Sequence, residues 1–208
     1  MIAIIDYDTG NTRNVQKAFQ ALGVETVLTS DKTVIEQAAG LVLPGVGAFP
    51  LAMQALESRG LVTLLKAEVA KGKPLLGVCL GTQLLLEGSR EHNYTDGLGF
   101  IPGVCEELPT KLGFPVPHMG WNQLKIIQEN ALTQGLSEKF VYFVHSFYAN
   151  CPSEFIYATA EYSVEVPAMI ANGNVYGAQF HPEKSSTVGL GILKQFKEVV
   201  EHANSSRN

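Results

Sequence analysis

Short apolar runs that alternate with helical stretches dominate the first ninety residues, and they limit the possible folds more than any other feature. The apolar runs lie at Ile2–Ile5, Val24–Leu28, Leu41–Leu43 and Pro74–Val78. The predicted helical stretches contain Val15–Leu22, Asp31–Ala38, Leu51–Ser58 and Leu61–Lys71, and a further one begins near Leu80. Strands that are apolar throughout are buried on both faces, and the helices that connect them cover those faces. This half of the chain therefore predicts an α/β fold with a mostly parallel central sheet.

The second half of the chain has a different pattern, in which short β-rich runs are separated by turn residues. These runs lie at Gly103–Leu108, Gln123–Ile127, Phe140–Val144, Phe155–Ala160, Ala168–Ala171 and Val175–Phe180. A closing helix is predicted near Thr187–His202, because its apolar residues recur with helical spacing and would pack back on the sheet. No repeat or linker interrupts the pattern. The chain is therefore expected to form a single domain over residues 1–203, with a frayed tail over residues 204–208.

Composition and charge argue against several classes of protein. A formal net charge of −5 at pH 7, without any Lys/Arg cluster, disfavours a nucleic-acid partner. The apolar runs are far shorter than the roughly 20 residues that cross a bilayer, so no membrane association is expected. The N-terminus has no basic leader or cleavage-site pattern and is interpreted as mature structure. Three widely spaced cysteines make a poor disulfide framework, which favours a reducing compartment, with the cytoplasm as the default.

Cys79 lies where the apolar strand Pro74–Val78 ends and a helix begins. Gly77 and Gly81 flank it two residues away on each side, and small flanking residues are typical of a nucleophile elbow. The helix N-terminus favours the thiolate, and the next backbone N–H, that of Leu80, faces the place where an oxyanion would form. The alternative is a small buried hydrophobic residue, which is the usual role of a free cysteine. The flanking glycines favour the nucleophile, because a plain core strand does not need them.

His181 is the best candidate for the base that a cysteine nucleophile requires. It follows the apolar run Val175–Phe180, and open α/β sheets place their sites at such strand ends. Glu183 is two residues further on, so in an extended segment its carboxylate would lie on the same side and orient the imidazole. Together with Cys79 these residues match the general arrangement of nucleophile, base and orienting acid.

The other histidines and cysteines are weaker candidates for catalysis. His92 and His202 lie in polar stretches, and neither His118 nor His145 has an acidic residue two positions away. As isolated segments, the last two are more typical of turn and strand histidines. Cys105 and Cys151 are expected to be structural, since neither lies at a strand-to-helix corner.

A glycine-rich segment, Leu43–Phe49, connects a predicted strand to a predicted helix. Its glycines permit a close backbone approach to a ligand, but for this segment taken alone a tight connection between the two elements is the favoured explanation. The segment lacks the spacing of a dinucleotide-binding loop, and no P-loop pattern occurs in the sequence, so nucleotide binding is poorly supported.

Taken together, these three segments resemble the class I, triad-type glutamine amidotransferases. The resemblance covers nearly the whole chain and is carried by the G-x-C-x-G elbow at Gly77–Gly81, the His-Pro-Glu at His181–Glu183 and the Pro-Gly-Val-Gly at Pro44–Gly47. Within that family, the segments Pro-His-Met-Gly-Trp-Asn, Tyr-Phe-Val-His-Ser and Gln-Phe-His-Pro-Glu-Lys-Ser-Ser are similar to those of the glutaminase subunits of imidazole glycerol phosphate synthases.

The resemblance implies a flavodoxin-like three-layer sandwich and a conditional activity. A Cys-His-Glu triad would hydrolyse L-glutamine to L-glutamate and ammonia through a thioester. The ammonia would pass through a (β/α)8-barrel cyclase subunit, the partner in a heterodimer, to form imidazole glycerol phosphate and AICAR in L-histidine biosynthesis. No cofactor and no metal are implied.

The resemblance also assigns roles to individual residues. Cys79 would form the thioester, His181 would transfer the proton and Glu183 would orient the imidazole. The oxyanion hole would consist of the backbone N–H groups of Val46 and Leu80. The glutamine-binding residues would be Gly47, Gln83, Glu91, Ser146 and Phe147. The partner interface, beside the ammonia exit, would comprise Pro117, His118, Met119, Gly120 and Trp121.

Two further points follow from the family pattern. The Pro44–Gly47 strand would be turned away from the oxyanion until the partner's ligand binds, and Gly45 would allow one peptide to flip. Phe147 stands where relatives often carry tyrosine, which removes a hydroxyl but leaves a backbone contact possible.

Three other functions remain as alternatives. A pyridoxal-phosphate synthase glutaminase shares the triad. Those enzymes carry a different glycine-rich glutamine-binding signature, which this sequence does not contain, and they lack the His-Met-Gly-Trp-Asn segment that it does contain. A cysteine hydrolase of the same fold would act fully without a partner. A degenerate interaction module would be expected to have lost at least one member of the triad.

Overall fold

The computed structural model describes residues 1–206, which contain six α-helices and fourteen β-strands. The helices are α1 (Thr12–Ala21), α2 (Lys32–Gln37), α3 (Phe49–Ser58), α4 (Leu61–Ala70), α5 (Leu80–Leu84) and α6 (Ser186–Ser205). The strands are β1 (Ile2–Ile5), β2 (Thr26–Thr29), β3 (Gly40–Leu43), β4 (Leu75–Val78), β5 (Leu86–Ser89), β6 (Thr95–Asp96), β7 (Ile101–Glu107), β8 (His118–Gln123), β9 (Lys125–Ile126), β10 (Phe140–His145), β11 (Phe147–Asn150), β12 (Ile156–Glu161), β13 (Glu165–Asn172) and β14 (Val175–Ala178). Two short 3₁₀ turns lie at Ser153–Phe155 and Pro182–Lys184.

The central sheet has eight strands in the order β2-β1-β3-β4-β14-β13-β12-β9. The first five strands are parallel to one another, and the last three extend the sheet in antiparallel pairings. The parallel part has the strand order of a flavodoxin-like fold, in which the first strand lies inside the second. The predicted fold class is therefore confirmed.

Two apolar cores cover the two faces of this sheet. On one face α1 and α6 pack together, with the rings of Phe19 and Phe196 6.5 Å apart edge to face. On the other face α2, α3, α4 and α5 contribute buried side chains such as Ile35, Phe49 and Leu65. Strands β1, β3 and β4 are buried along their whole length, as their uniformly apolar sequences predict.

Residues from Leu86 onward add two smaller sheets whose strands were only partly predicted. One has the order β11-β7-β5-β6, and the other pairs β8 with β10. The predicted run Gln123–Ile127 is divided between two sheets, because β8 ends at Gln123 against β10 while β9 pairs with β12. His118, expected in a turn, begins β8, and the helix after Cys79 has only five residues before the chain enters β5. Pairing with distant strands decided these elements, and local sequence patterns do not record it.

The last helix is longer than its apolar pattern indicates. It continues to Ser205, beyond the predicted end near His202, so the first residues of the predicted tail are helical. Residues 207 and 208 of that predicted tail lie outside the described residues. Among the described helices, none is long and apolar enough to cross a membrane.

Candidate active site

The three motifs that the sequence singled out follow three neighbouring parallel strands. The Pro44–Gly47 segment follows β3, Cys79 follows β4 and His181 lies just beyond β14. In the sheet β4 lies between β3 and β14. The carboxyl ends of parallel strands share one edge of a sheet, where open α/β folds bind their ligands. The topology thus brings together segments that are more than 130 residues apart.

Cys79 forms a strained corner between β4 and α5. Its backbone has φ 54° and ψ −112°, a region that residues with a side chain rarely adopt. A Cβ atom at Gly81 would collide with the carbonyl oxygen of Leu43, and one at Gly77 would lie 2.7 Å from the carbonyl oxygen of Gly81. Both flanking positions therefore require glycine, for the reason that the sequence pattern suggested. The Cys79 thiol lies on the cavity side, with its sulfur 3.8 Å from the carbonyl oxygen of Val144.

His181 and Glu183 form a buried pair beneath the cysteine. Nδ1 of His181 is 2.7 Å from Oε1 of Glu183, and both side chains are at most 1% exposed. The prediction placed them in an extended segment, and that part was wrong, because Pro182–Lys184 forms a 3₁₀ turn that brings the carboxylate back to the ring. Nε2 of His181 is buried and has no hydrogen-bond partner among the described residues.

The environment of His181 favours its charged form. Burial alone would lower the pKa of His181, but the Cys79 thiol and then the Glu183 carboxylate outweigh it and raise this pKa to about 9. The imidazole therefore has the proton affinity needed to accept a proton from a thiol.

A cavity of about 320 Å³ opens above Cys79. Its lining comprises Val46, Gly47, Cys79, Leu80, Gln83, Glu91, Pro117, Val144, His145, Ser146 and Phe147. All five predicted glutamine-binding residues lie in this wall. Val144 and His145 were not predicted there, and their only sequence signal is that they directly precede Ser146.

Hydrogen bonds fix two of the predicted glutamine-binding side chains in the cavity wall. The side-chain amide of Gln83 donates to the carbonyl oxygen of Phe147 at 2.9 Å and to Oε1 of Gln179 at 3.2 Å. Oε2 of Glu91 accepts a hydrogen bond of 2.8 Å from the backbone N–H of Phe49. Gln83 and Glu91 are therefore held before any ligand arrives, which reduces the ordering cost of binding.

The two predicted oxyanion donors are both occupied within the protein. The N–H of Leu80 donates to the carbonyl oxygen of Gly45 at 3.3 Å. The N–H of Val46 donates to the Thr9 hydroxyl at 3.0 Å, and that hydroxyl lies 3.1 Å from the carbonyl oxygen of Val46. The carbonyl of Pro44 accepts a further bond of 2.5 Å from the Tyr7 hydroxyl. In this orientation of the Pro44–Gly47 segment, neither predicted donor is free to bind an oxyanion at Cys79.

The two rival histidines bond to each other. Nδ1 of His118 lies 2.9 Å from Nε2 of His145, and Nδ1 of His145 lies 2.8 Å from the carbonyl oxygen of Phe147. The ring of His118 also stacks on Tyr162, with centroids 3.9 Å apart. Burial lowers the pKa of both histidines, that of His145 to about 4. Within residues 1–206, neither imidazole is hydrogen-bonded to a carboxylate, so both are poorly suited to act as the base.

The predicted interface segment, Pro117–Trp121, contains both exposed and buried residues. Met119 and Trp121 are 62% and 52% exposed, whereas His118 is buried and Pro117 lines the cavity. Antiparallel pairing places Tyr142 opposite Trp121, and Phe140 on the same strand is also exposed. The sequence did not indicate the last two, because their exposure follows from the pairing of β8 with β10. The register places these four exposed or half-exposed side chains on one face of the β8–β10 pair, where the rings of Trp121 and Tyr142 lie 5.9 Å apart, and we call this set the apolar patch.

Within residues 1–206, no group of three or more His, Cys, Asp and Glu side chains is placed to hold a metal ion.

Comparisons with known proteins agree with one another. The family profile described as glutamine amidotransferase class-I matches residues 3–199. The imidazole glycerol phosphate synthase subunit HisH of Listeria monocytogenes serotype 4b is 59% identical over 207 residues, covering 100% of both chains. The corresponding subunit of Streptococcus mutans is 59% identical over 97% of this chain and 100% of its own.

Solved structures extend the similarity to the fold. A crystal structure of a glutamine amidotransferase superimposes with a TM-score of 0.77 at 20% identity, covering 97% of this chain and 100% of that chain. The structure of PurLQS from Thermotoga maritima superimposes with a TM-score of 0.73 at 17% identity, covering 96% of this chain and 98% of that chain. At such low identity these two similarities concern the fold alone.

Proposed function

The chain belongs to the class-I glutamine amidotransferase family, and from that premise we propose that it is the glutaminase subunit of an imidazole glycerol phosphate synthase. It would hydrolyse L-glutamine to L-glutamate and ammonia and pass the ammonia to a cyclase in L-histidine biosynthesis. The observation that carries this proposal is the cavity in which Cys79 and all five predicted glutamine-binding residues meet. Full-length identity of 59% to HisH subunits supports the choice of pathway.

The reaction would proceed in two steps around Cys79. His181 accepts the thiol proton, and the sulfur attacks the side-chain amide carbon of glutamine. The proton then passes to the leaving nitrogen, which departs as ammonia and leaves a γ-glutamyl thioester. In the second step His181 takes a proton from water, the hydroxide cleaves the thioester, and the proton returns to the sulfur of Cys79. Glu183, bonded to Nδ1 of His181, keeps Nε2 free for these transfers.

The oxyanion formed in each step needs hydrogen-bond donors, and in the present orientation of the Pro44–Gly47 segment the N–H groups of Val46 and Leu80 are already occupied. A flip of the peptide between Gly45 and Val46 would withdraw the Gly45 carbonyl from the N–H of Leu80 and turn the N–H of Val46 toward the cavity. Removal of a single oxyanion-hole donor typically costs about 100- to 1,000-fold in rate. The isolated subunit is therefore expected to be a poor glutaminase until a partner stabilises the flipped strand.

The partner would dock on the apolar patch of Met119, Trp121, Phe140 and Tyr142. HisH subunits are named as parts of a synthase complex, so a complex with a second subunit is the coarse expectation. The finer proposal is a cyclase with a (β/α)8 barrel whose channel opens over the cavity mouth beside Pro117. Exposed aromatic side chains next to a catalytic cavity are typical of such contact surfaces. A cytoplasmic location, as expected for this pathway, stays a prediction.

The test compares two nitrogen sources in the complex with the cyclase. Cys79→Ser is expected to abolish synthesis with glutamine and to leave synthesis with ammonium salts largely intact, because ammonia enters downstream of the thioester. The wild-type subunit alone should hydrolyse glutamine slowly and accelerate when the cyclase and its ligand are added. Glutamine-dependent turnover by Cys79→Ser would overturn the mechanism, and full activity of the wild-type subunit alone would favour a stand-alone hydrolase.

A further inference from the structure

Asn11 precedes α1 in a position where asparagine normally caps a helix. Its backbone lies in the left-handed region, with φ 70° and ψ 0°, and its side chain makes no cap hydrogen bond. An unused cap forgoes about 1 kcal/mol of helix stability. The side chain is therefore directed elsewhere.

The amide of Asn11 points at the catalytic pair instead. Nδ2 of Asn11 donates to Oε1 of Glu183 at 2.5 Å, the same oxygen that contacts Nδ1 of His181. Nδ2 also lies 3.3 Å from Nδ1 of His181, as expected for two donors that share one acceptor. The carbonyl oxygen of the Asn11 side chain accepts a bond of 2.9 Å from Nδ2 of Asn14, which fixes the amide with its N–H groups toward the carboxylate.

Glu183 depends strongly on this contact. Its side chain is 1% exposed, and its other oxygen, Oε2, is buried and has no hydrogen-bond partner among residues 1–206. The buried carboxylate is therefore held only by Asn11 and His181 within that range. If one of these two donors is removed, the desolvation cost of the buried carboxylate is no longer offset. The carboxylate is then also free to rotate relative to the remaining donor, the His181 imidazole.

We propose that Asn11 is a positioning residue for catalysis, which holds the Glu183 carboxylate in the plane of the His181 imidazole through the Asn14–Asn11–Glu183–His181 chain of hydrogen bonds. This proposal rests on the proposed glutaminase function. It extends the triad by one residue from the turn between β1 and α1, more than 160 positions away in sequence. The same turn carries Thr9, whose hydroxyl accepts the N–H of Val46, so the turn contacts both the catalytic pair and the Pro44–Gly47 segment.

Asn11→Gly tests the proposal without straining the backbone, since glycine adopts a φ of 70° readily and is tolerated at helix N-termini. In the complex with the cyclase and its ligand, kcat for glutamine hydrolysis should fall by about 10- to 100-fold, as expected for a lost bond to a buried charge. KM should change less than twofold, because Asn11 does not line the cavity. Asn11→Asp keeps the shape but places a second carboxylate against Glu183, and it should lower kcat further. Asn14→Ala should have a smaller effect in the same direction.

A second measurement separates a positioning role from a merely structural one. The imidazole of His181 is titrated by NMR in the wild type and in Asn11→Gly. A loosened Glu183 should lower the pKa of His181 from its raised value, and ammonia-dependent synthesis should stay at the wild-type level. Unchanged kcat together with an unchanged His181 titration would overturn the proposal, as would a rise in KM at constant kcat. If the wild type failed to hydrolyse glutamine, the proposed function would fall, and the titration alone would decide the role of Asn11.

Discussion

The triad corner, formed by Cys79, His181 and Glu183, and the oxyanion strand, our name for the Pro44–Gly47 segment that follows β3, differ in how far they are arranged for catalysis. At the corner, the Cys79 backbone is already in its unusual conformation and His181 is already 2.7 Å from its carboxylate. In the strand, the N–H of Val46 is turned to Thr9 and the Gly45 carbonyl occupies the N–H of Leu80. The Cys79 elbow and the His181–Glu183 pair are already formed, whereas the backbone donors that would stabilise the oxyanion are not available.

The difference follows from how each region is held. Glycines that tolerate no side chain and side chains with almost no exposure fix the corner, so moving it would disrupt the core. The strand carries Val46, which is 41% exposed, and Gly47, which has φ 104°. Hydrogen bonds at an exposed site contribute only about 1 kcal/mol each. A partner of moderate affinity can therefore reorient the strand without disturbing the triad.

The largest effect is expected at the triad. His181→Ala should lower glutamine-dependent synthesis by about 100- to 10,000-fold even with the cyclase ligand bound, since no other base is in place. Synthesis from ammonium salts provides the control. His118→Ala and His145→Ala are the matched variants, and a larger loss in either of them than in His181→Ala would show that the assembled corner has been assigned to the wrong histidine.

An intermediate effect is expected on stability. The pKa of His181 is raised from 6.5 to about 9 in the folded protein. The contribution of His181 to the free energy of unfolding is therefore fully present below the pKa of the unfolded state and is lost as the pH rises through about 9. A tenfold change in proton affinity corresponds to about 1.4 kcal/mol, which limits this loss to about 3 kcal/mol. Urea denaturation at pH 6 and pH 9.5 measures it.

Two variants show whether the pH dependence of stability arises from the His181–Glu183 pair. Glu183→Gln removes one of the charges that raise the pKa of His181, so it should reduce the difference between the two pH values. A change at Thr9 should leave the difference intact. Equal pH dependence in the wild type and in Glu183→Gln would contradict the tight coupling that distinguishes the corner from the strand.

The smallest effect is expected at the strand. Thr9→Val keeps the shape of the side chain and removes the hydroxyl that accepts the N–H of Val46, so the flipped orientation becomes relatively more populated. The isolated subunit should hydrolyse glutamine about fivefold faster, the equivalent of one modest hydrogen bond. Thr9→Ser retains the hydroxyl and serves as the control. An increase in both variants, or in neither, would mean that Thr9 does not hold the strand.

Much of the fold was predictable because its signals are local. Strands β1, β3 and β4 are uniformly apolar runs, and the glycines around Cys79 are required by contacts within a few residues or with the adjacent strand. The less successful part lies after Gly99. There β8 and β11 were missed, since their partners β10 and β7 decide their conformation, and the sequence of a half-exposed strand does not identify its partner.

The sequence alone determined which chemical groups are available and at which corners of the chain they lie. It placed Cys79 at a strand-to-helix junction, His181 at a strand end and paired glycines after β3, because each depends on residue types within a short window. Only the tertiary structure decided that the His181–Glu183 pair is formed while the N–H groups of Val46 and Leu80 are occupied within the protein. The partners of Val46 and Glu183, Thr9 and Asn11, lie 37 and 172 positions away, and hydrogen bonds across such separations depend on the folded path of the chain.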